Sequence, residues 1–254
     1  MNPKPNAAAY SALATHYDNF TQNMDYKKRA EYLCTLLCDV PQGATVLDLA
    51  CGTGVYSYDL LARGYDVIGV DSSLDMLNKS LEKAAELQIA PPLLLCQTLE
   101  ELDLYGTAKA AVCLTDSLNH ITNPANVRRF FRRLSLFLEP GGLFVFDVNT
   151  RHKHEQVLAD NTFVYETEQA FCVWQNRWQP EQNTTEITLD VFHAEEDGTY
   201  TRKSERFAER VYSAEELTKW LSRAGFELLH IYGELTYEPP QADAQRVFIV
   251  ARRK

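Results

Sequence analysis

From Thr45 onward the chain alternates short apolar runs with amphipathic ones, and this rhythm constrains the fold more than any other feature. ATVLDLA (44–50), YDVIGVD (65–71), LLLC (93–96), AAVCLTD (110–116) and LFVFDV (143–148) read as strands. Between them, Val55 to Arg63 reads as a helix with Gly64 at its C-terminal cap. A second helix is capped by Ser72 or Ser73 and repeats Leu74, Leu77, Leu81 and Ala84 on one face. A third opens at Asn123-Pro124 and carries Val127, Phe130, Phe131, Leu134 and Leu138 inward. Strands that alternate with helices in this way form right-handed crossovers and a parallel sheet covered on both faces.

The flanks differ. Residues 1–40 read as a helical cap, with Ala30, Leu33, Leu36 and Leu37 as its apolar stripe. After Asn149 the period drops to two: Ile187, Leu189 and Val191 alternate with Glu186, Thr188 and Asp190, and Asp197-Gly198 marks a hairpin. Residues 151–212 are therefore expected to be a small antiparallel insertion. Ser213 and Glu216 make a capping box for a last helix with Leu217, Trp220, Leu221 and Ala224 inward. FELLHIY and RVFIVAR complete the sheet, so 41–150 and 213–254 form one α/β domain interrupted by the insertion.

With 254 residues, 45% hydrophobic and 24% charged, the chain is neither disordered nor fibrous. A formal charge of −10 gives it no global attraction to nucleic acid or to an anionic membrane, and no apolar run has the length of a membrane span. The six cysteines follow no disulfide pattern and no basic, then apolar, leader opens the chain; a reducing, cytoplasmic setting is expected. Cys34 and Cys38 share a helix face and His152-x-His154 has a minimal metal spacing, but neither pair has companions, and no metal is expected.

Open parallel sheets bind ligands at the carboxyl ends of their strands. Four strand ends here are glycine-rich or polar. Asp48-Leu49-Ala50-Cys51-Gly52-Thr53-Gly54 can bend tightly into a helix whose free N–H groups face a ligand. Asp71, one strand on, can accept both hydroxyls of a ribose, or else serve as a helix cap. Cys96-Gln97-Thr98-Leu99 and Thr115-Asp116-Ser117-Leu118-Asn119-His120 concentrate hydrogen-bonding groups where packing does not need them.

Together, VLDLACGTG, the acid ending VIGVD, the polar step after LLLC, DSLNH and EPGGLFVFDVNT resemble the class I S-adenosylmethionine-dependent methyltransferases, in particular bacterial members of unassigned acceptor. The resemblance extends to Tyr17-Asp18, to the insertion and to SAEELTKWLSRAGF. It implies a Rossmann-like sheet with S-adenosylmethionine as cofactor. Ala50, Cys51, Gly52 and Gly54, beside Asp48, would hold the methionine part. Asp71 would hold the ribose, with Ser72 and Met76 beside the adenine. Where the family places an Asp toward the adenine amino group, this chain has Thr98 after Gln97, followed by Leu99; a Thr hydroxyl or the Gln97 amide takes that role. Thr115 and Asp116 would lie under the sulfonium, and Tyr17 would lay its ring beside it.

Methyl transfer is an in-line displacement, so positioning and water exclusion dominate and a base is needed only for a protonated acceptor. His16, His120, Asp147 and Asn149 are the groups expected near the methyl. The insertion would cover a small-molecule acceptor, with Trp174, Arg177, Arg206, Arg210 and Tyr212 as candidate walls. Two other readings share the strand, turn and acid. One is a nicotinamide oxidoreductase, although Ser57 stands where the dinucleotide fingerprint has Gly or Ala. The other is a cofactor binder without catalysis.

Overall fold

The computed structural model describes residues 25–167, 169–195 and 197–254. The expectations at His16 and Tyr17, and most of the N-terminal cap, lie outside these residues. Helix α1 (Tyr26–Leu36) starts at Asp25, whose carboxylate accepts the Lys28 N–H, and buries Ala30, Tyr32 and Leu33. The alternation then runs as read: β1 (Thr45–Leu49), α2 (Val55–Ala62), β2 (Asp66–Asp71), α3 (Leu74–Leu87), β3 (Leu93–Cys96), β4 (Ala108–Cys113), α4 (Pro124–Phe137) and β5 (Leu138–Asn149). Ser73, not Ser72, caps α3 by accepting the Met76 N–H. Asn123 caps α4 through the Ala125 N–H, with Pro124 at the first helical position.

One boundary differs from the sequence reading. Leu138, expected on the inner face of α4, is the first residue of β5 and pairs with Ala108 of β4. Pro140 explains it: the residue before a proline is pushed out of the helical region, so the helix stops one residue early and the chain extends through Pro140-Gly141-Gly142.

After β5 comes a π-helical turn (Lys153–Leu158), then β6 (Thr162–Glu166), β7 (Ala170–Gln179), β8 (Thr184–Ala194) and β9 (Tyr200–Arg210). These four strands form their own antiparallel sheet in the order β6-β7-β8-β9. The β8–β9 hairpin turns at Asp197-Gly198 with Gly198 at φ +83°. Helix α5 (Ala214–Arg223) begins with the Ser213/Glu216 capping box, and β10 (Phe226–Gly233) and β11 (Arg246–Arg253) end the chain.

The main sheet has seven strands in the order β10-β11-β5-β4-β1-β2-β3, parallel except for β11, which runs antiparallel between β10 and β5. Strand order reverses between β1 and β4, and a crevice opens at that point. One core layer stacks Phe130, Phe131, Phe144, Phe146 and Phe226 between the sheet and helices α4 and α5. The opposite face packs Leu33, Leu37, Val46, Leu60, Val112 and Phe248.

Candidate active site

The crevice is a cavity of about 470 Å³ lined from β1, β2, β3 and β4 and the segments that follow them. The β1–α2 elbow forms its floor. Ala50, Gly52 and Gly54 all adopt positive φ (56°, 55° and 78°). At Gly54 the reason is steric as well: an added Cβ would lie 2.5 Å from Ser80 Oγ. Gly54 itself does not line the cavity; it lets the chain turn into α2, while Ala50, Cys51, Gly52 and Thr53 face the space.

Two carboxylates set the elbow. Asp48 is buried beneath it and accepts a hydrogen bond from Ser57 Oγ at 2.5 Å. Burial pushes its pKa up to about 7, against the Ser57 bond. Ser57 thus occupies the third glycine position of a dinucleotide fingerprint with a hydroxyl committed to Asp48. Asp71 accepts the Gly52 N–H at Oδ2 and the Ser73 N–H at Oδ1, both at 2.8 Å. Burial raises its pKa while these backbone donors oppose the rise. Each oxygen keeps acceptor capacity toward the cavity, which Asp71, Ser72 and Met76 also line.

At the end of β3, Gln97, Thr98 and Leu99 line the next wall. The Gln97 amide is spent within its own loop: Nε2 donates to Asp103 O (3.1 Å) and Oε1 accepts the Asp103 N–H (2.9 Å). Thr98 Oγ1 donates to Glu101 Oε2 at 3.1 Å.

The end of β4 is held in an unusual backbone. Thr115 and Asp116 are consecutive non-glycine residues at φ +56° and +53°. Such conformations cost about 1–3 kcal/mol each and need support. Asp147 of β5 supplies it, accepting the N–H of Thr115 (3.1 Å) and of Asp116 (2.6 Å). Arg246 of β11 bridges the two acids, with Nη1 at 2.9 Å from Asp147 Oδ1 and Nη2 at 2.7 Å from Asp116 Oδ1. Asn149 Nδ2 donates to the other Asp116 oxygen at 2.9 Å. Thr115 lines the cavity, whereas Asp116, Asp147 and Asn149 lie behind its surface.

Of the three described groups expected near the methyl, His120 lines the cavity wall and Asp147 and Asn149 do not. Its ring packs against Phe207 of β9 (centroids 5.2 Å apart), and burial lowers its pKa. The insertion meets the site at this ring. Among the described residues, none from 151–212 lines the cavity; Arg177 and Arg206 are exposed, and Arg210 and Tyr212 line a separate pocket of about 200 Å³. Trp174 is held within the insertion, its Nε1 donating to Asn176. Asn119 stitches the parts together: Oδ1 accepts the Asn149 N–H (2.9 Å) and Nδ2 donates to Arg210 O (2.8 Å).

Several residues escaped the sequence reading. Tyr26, Tyr56, Glu100, Glu101 and Asn126 line the cavity. Glu209, His154 and Arg246 are buried beside it. Glu209 carried a signal: it sits on the inward phase of β9, two residues after Phe207, where an apolar residue is expected.

The chain matches the methyltransferase domain family over residues 46–142. It is 30% identical over 246 residues to a protein of Geobacillus sp. (strain WCH70) whose name calls it a methyltransferase, spanning 96% of this chain and 99% of that one. It is 32% identical to a glycine/sarcosine N-methyltransferase of Halorhodospira halochloris over a shorter stretch, 42% of this chain and 40% of the other. A crystal structure of an S-adenosylmethionine-dependent methyltransferase from Clostridium acetobutylicum ATCC 824 superposes with a TM-score of 0.85 at 26% identity, covering 96% of this chain and 98% of that one. A relative matched along nearly its whole length, a superposing fold and the glycine elbow at the switch point agree: the chain belongs to the class I S-adenosylmethionine-dependent methyltransferases.

Proposed function

We propose that this methyltransferase acts on a small-molecule acceptor. The carrying observation is the cavity itself. Its walls hold Asp48, Asp71, Glu100 and Glu101 and, among the described residues, no Lys or Arg. A polyanionic nucleic acid acceptor would meet acidic side chains and no basic one in these described walls, and the chain as a whole carries −10.

The residues present fit the cofactor. A volume of about 470 Å³ lies in the range of small-molecule sites. The elbow faces the cavity with backbone at Ala50, Cys51 and Gly52, and Gly54 keeps its turn tight, which suits the methionine part. Asp71 offers the acceptor capacity a ribose needs, with Ser72 and Met76 beside the adenine. Leu99 supplies apolar wall there, and Thr98, whose hydroxyl can re-aim from Glu101, is the better partner for an adenine edge because the Gln97 amide is committed to Asp103. When bound, S-adenosylmethionine supplies an electrophilic methyl on a sulfonium. Thr115 presents its backbone to that end, fixed from behind by Asp147, while Asp116, paired with Arg246, braces the same loop. His120 is the group placed to accept a proton from an acceptor that arrives protonated, and its lowered pKa keeps it neutral near pH 7. The insertion acts by backing this ring.

Incubating the protein with methyl-labelled S-adenosylmethionine and a cell extract, then separating small molecules, RNA and protein, tests the reading. Label in the small-molecule fraction is expected. Label confined to RNA or protein would replace the acceptor class, and tight cofactor binding with no label in any fraction would favour a non-catalytic binder.

A further inference from the structure

Behind the His120 wall, the insertion and the sheet enclose a second group of side chains. Glu209 of β9 is 2% exposed and His154 of the π-helical turn is fully buried. One ligand atom from each of Asp116, His120 and Glu209 lies within 4.8 Å of the others. His120 Nε2 stands 3.7 Å from Glu209 Oε1, and His154 Nε2 stands 3.8 Å from Glu209 Oε2. These gaps are too long for hydrogen bonds. Two atoms that each sit about 2.1 Å from one metal ion can be up to about 4.2 Å apart, so each of these two spacings suits an ion between its own pair of atoms.

A second observation points the same way. Among the described residues, His154 Nε2 has no hydrogen-bond partner, although the ring is completely buried. Its Nδ1 is 2.8 Å from Thr185 Oγ1. With Nδ1 donating to that hydroxyl, Nε2 turns a lone pair toward the Glu209 carboxylate. Metal-ligating histidines are commonly fixed by such a bond on the other ring nitrogen. Two lone-pair groups facing each other in a dry site need a cation or a proton between them. The guanidinium of Arg246 is taken by Asp116 and Asp147. Among the described residues, the ionic partners of Glu209 within 4.0 Å are the two imidazoles, and Asn149 Nδ2 donates a long hydrogen bond to Oε2 at 3.4 Å.

We propose that Glu209 and His120, with Asp116 and His154 at the edges of the cluster, form a binding site for one divalent transition-metal cation at the seam between the insertion and the sheet. Two imidazoles with carboxylates suit zinc, cobalt, manganese or iron rather than calcium or magnesium. The ion joins β9 and the π-helical turn to the segment after β4; with its Nε2 on the ion, His120 no longer accepts a proton, so the loaded site suits an acceptor that arrives unprotonated. The site enlarges on the lone histidine pair of the sequence, since His154 belongs to it and His152 does not.

The experiment uses protein stripped with a chelator and then titrated with Zn²⁺ or Co²⁺ alone, read by calorimetry and by visible absorption of Co²⁺. One equivalent is expected to bind, with a rise in melting temperature. Glu209→Gln and His154→Gln should each weaken binding at least about tenfold, while His230→Ala, on exposed β10, leaves it unchanged. Circular dichroism confirms that each variant is folded, and the two independent variants cover the case in which one is not. Absence of stoichiometric binding to folded protein overturns the proposal, as does binding that neither variant weakens, which would place the ion on surface histidines. S-adenosylhomocysteine affinity of the stripped protein is measured in parallel, so a failed cofactor reading and a failed metal reading are told apart.

Discussion

Arg246 Nη1 lies 2.9 Å from Asp147 Oδ1 at the base of the loop that carries Thr115 and Asp116. Both partners are buried, and the acid also accepts two backbone N–H groups. Removing Asp147 leaves Arg246 to Asp116 and orphans the Thr115 and Asp116 N–H groups, and each orphaned donor costs about 1–3 kcal/mol. Asp147→Ala should therefore lower the unfolding free energy by that order and weaken S-adenosylhomocysteine binding as the loop relaxes. A variant of unchanged stability would show that the left-handed residues hold themselves.

Asp71 gives the direct test of the cofactor site. Asp71→Ala removes the acceptor for the Gly52 and Ser73 N–H groups as well as for a ribose. Hydrogen bonds to charged groups contribute about 1.5–3 kcal/mol. Calorimetry should show S-adenosylmethionine affinity down by roughly 10- to 100-fold. Wild-type affinity in the variant would remove the ribose assignment.

Gly54 tests the elbow by crowding. In Gly54→Ala the new Cβ meets Ser80 Oγ at 2.5 Å, at φ +78°. The left-handed conformation alone costs about 1–2 kcal/mol for a residue with a Cβ. Adding Ser80→Ala should recover the collision but not the backbone cost, so the double variant falls between wild type and Gly54→Ala in urea denaturation. Two variants of equal stability would mean that Ser80 already moves aside freely.

Asp48 makes a pH prediction. Its folded pKa of about 7 lies above its unfolded value, so the folded state holds a proton that the unfolded state releases. Stability from this group is complete below about pH 4 and is lost as the pH rises to about 7, by at most about 1.4 kcal/mol per unit. Asp48→Asn keeps an acceptor for Ser57 and cannot ionise. Denaturation measured across this range should show the variant gaining on wild type as the pH rises; parallel curves would show that Asp48 is ionised throughout.

The sheet was legible because each of its signals is local. An apolar run, a cap and a turn residue fall within a few positions, and Ser73, Asn123 and the Ser213/Glu216 box all cap the helices they open. The cavity-lining residues at the ends of β1, β2, β3 and β4 followed from one topological rule. Asp147 and Asn149, expected near the methyl, are buried and hydrogen-bond the β4 loop, and β11 brings Arg246 to Asp147 from nearly a hundred residues away. Glu209 and His154 join through the same kind of distant pairing. Helix α4 was drawn one residue long because a strand that runs through Pro140-Gly141-Gly142 breaks the usual turn reading.

Asn119 has a wider consequence. One buried amide fastens three stretches of chain, so the four-stranded module is not a detachable ornament on a conserved scaffold. Exchange of that module between homologues, in the laboratory or in descent, succeeds only where the incoming piece offers a carbonyl where Arg210 has one, and recombination joints belong toward the far hairpin, away from this knot.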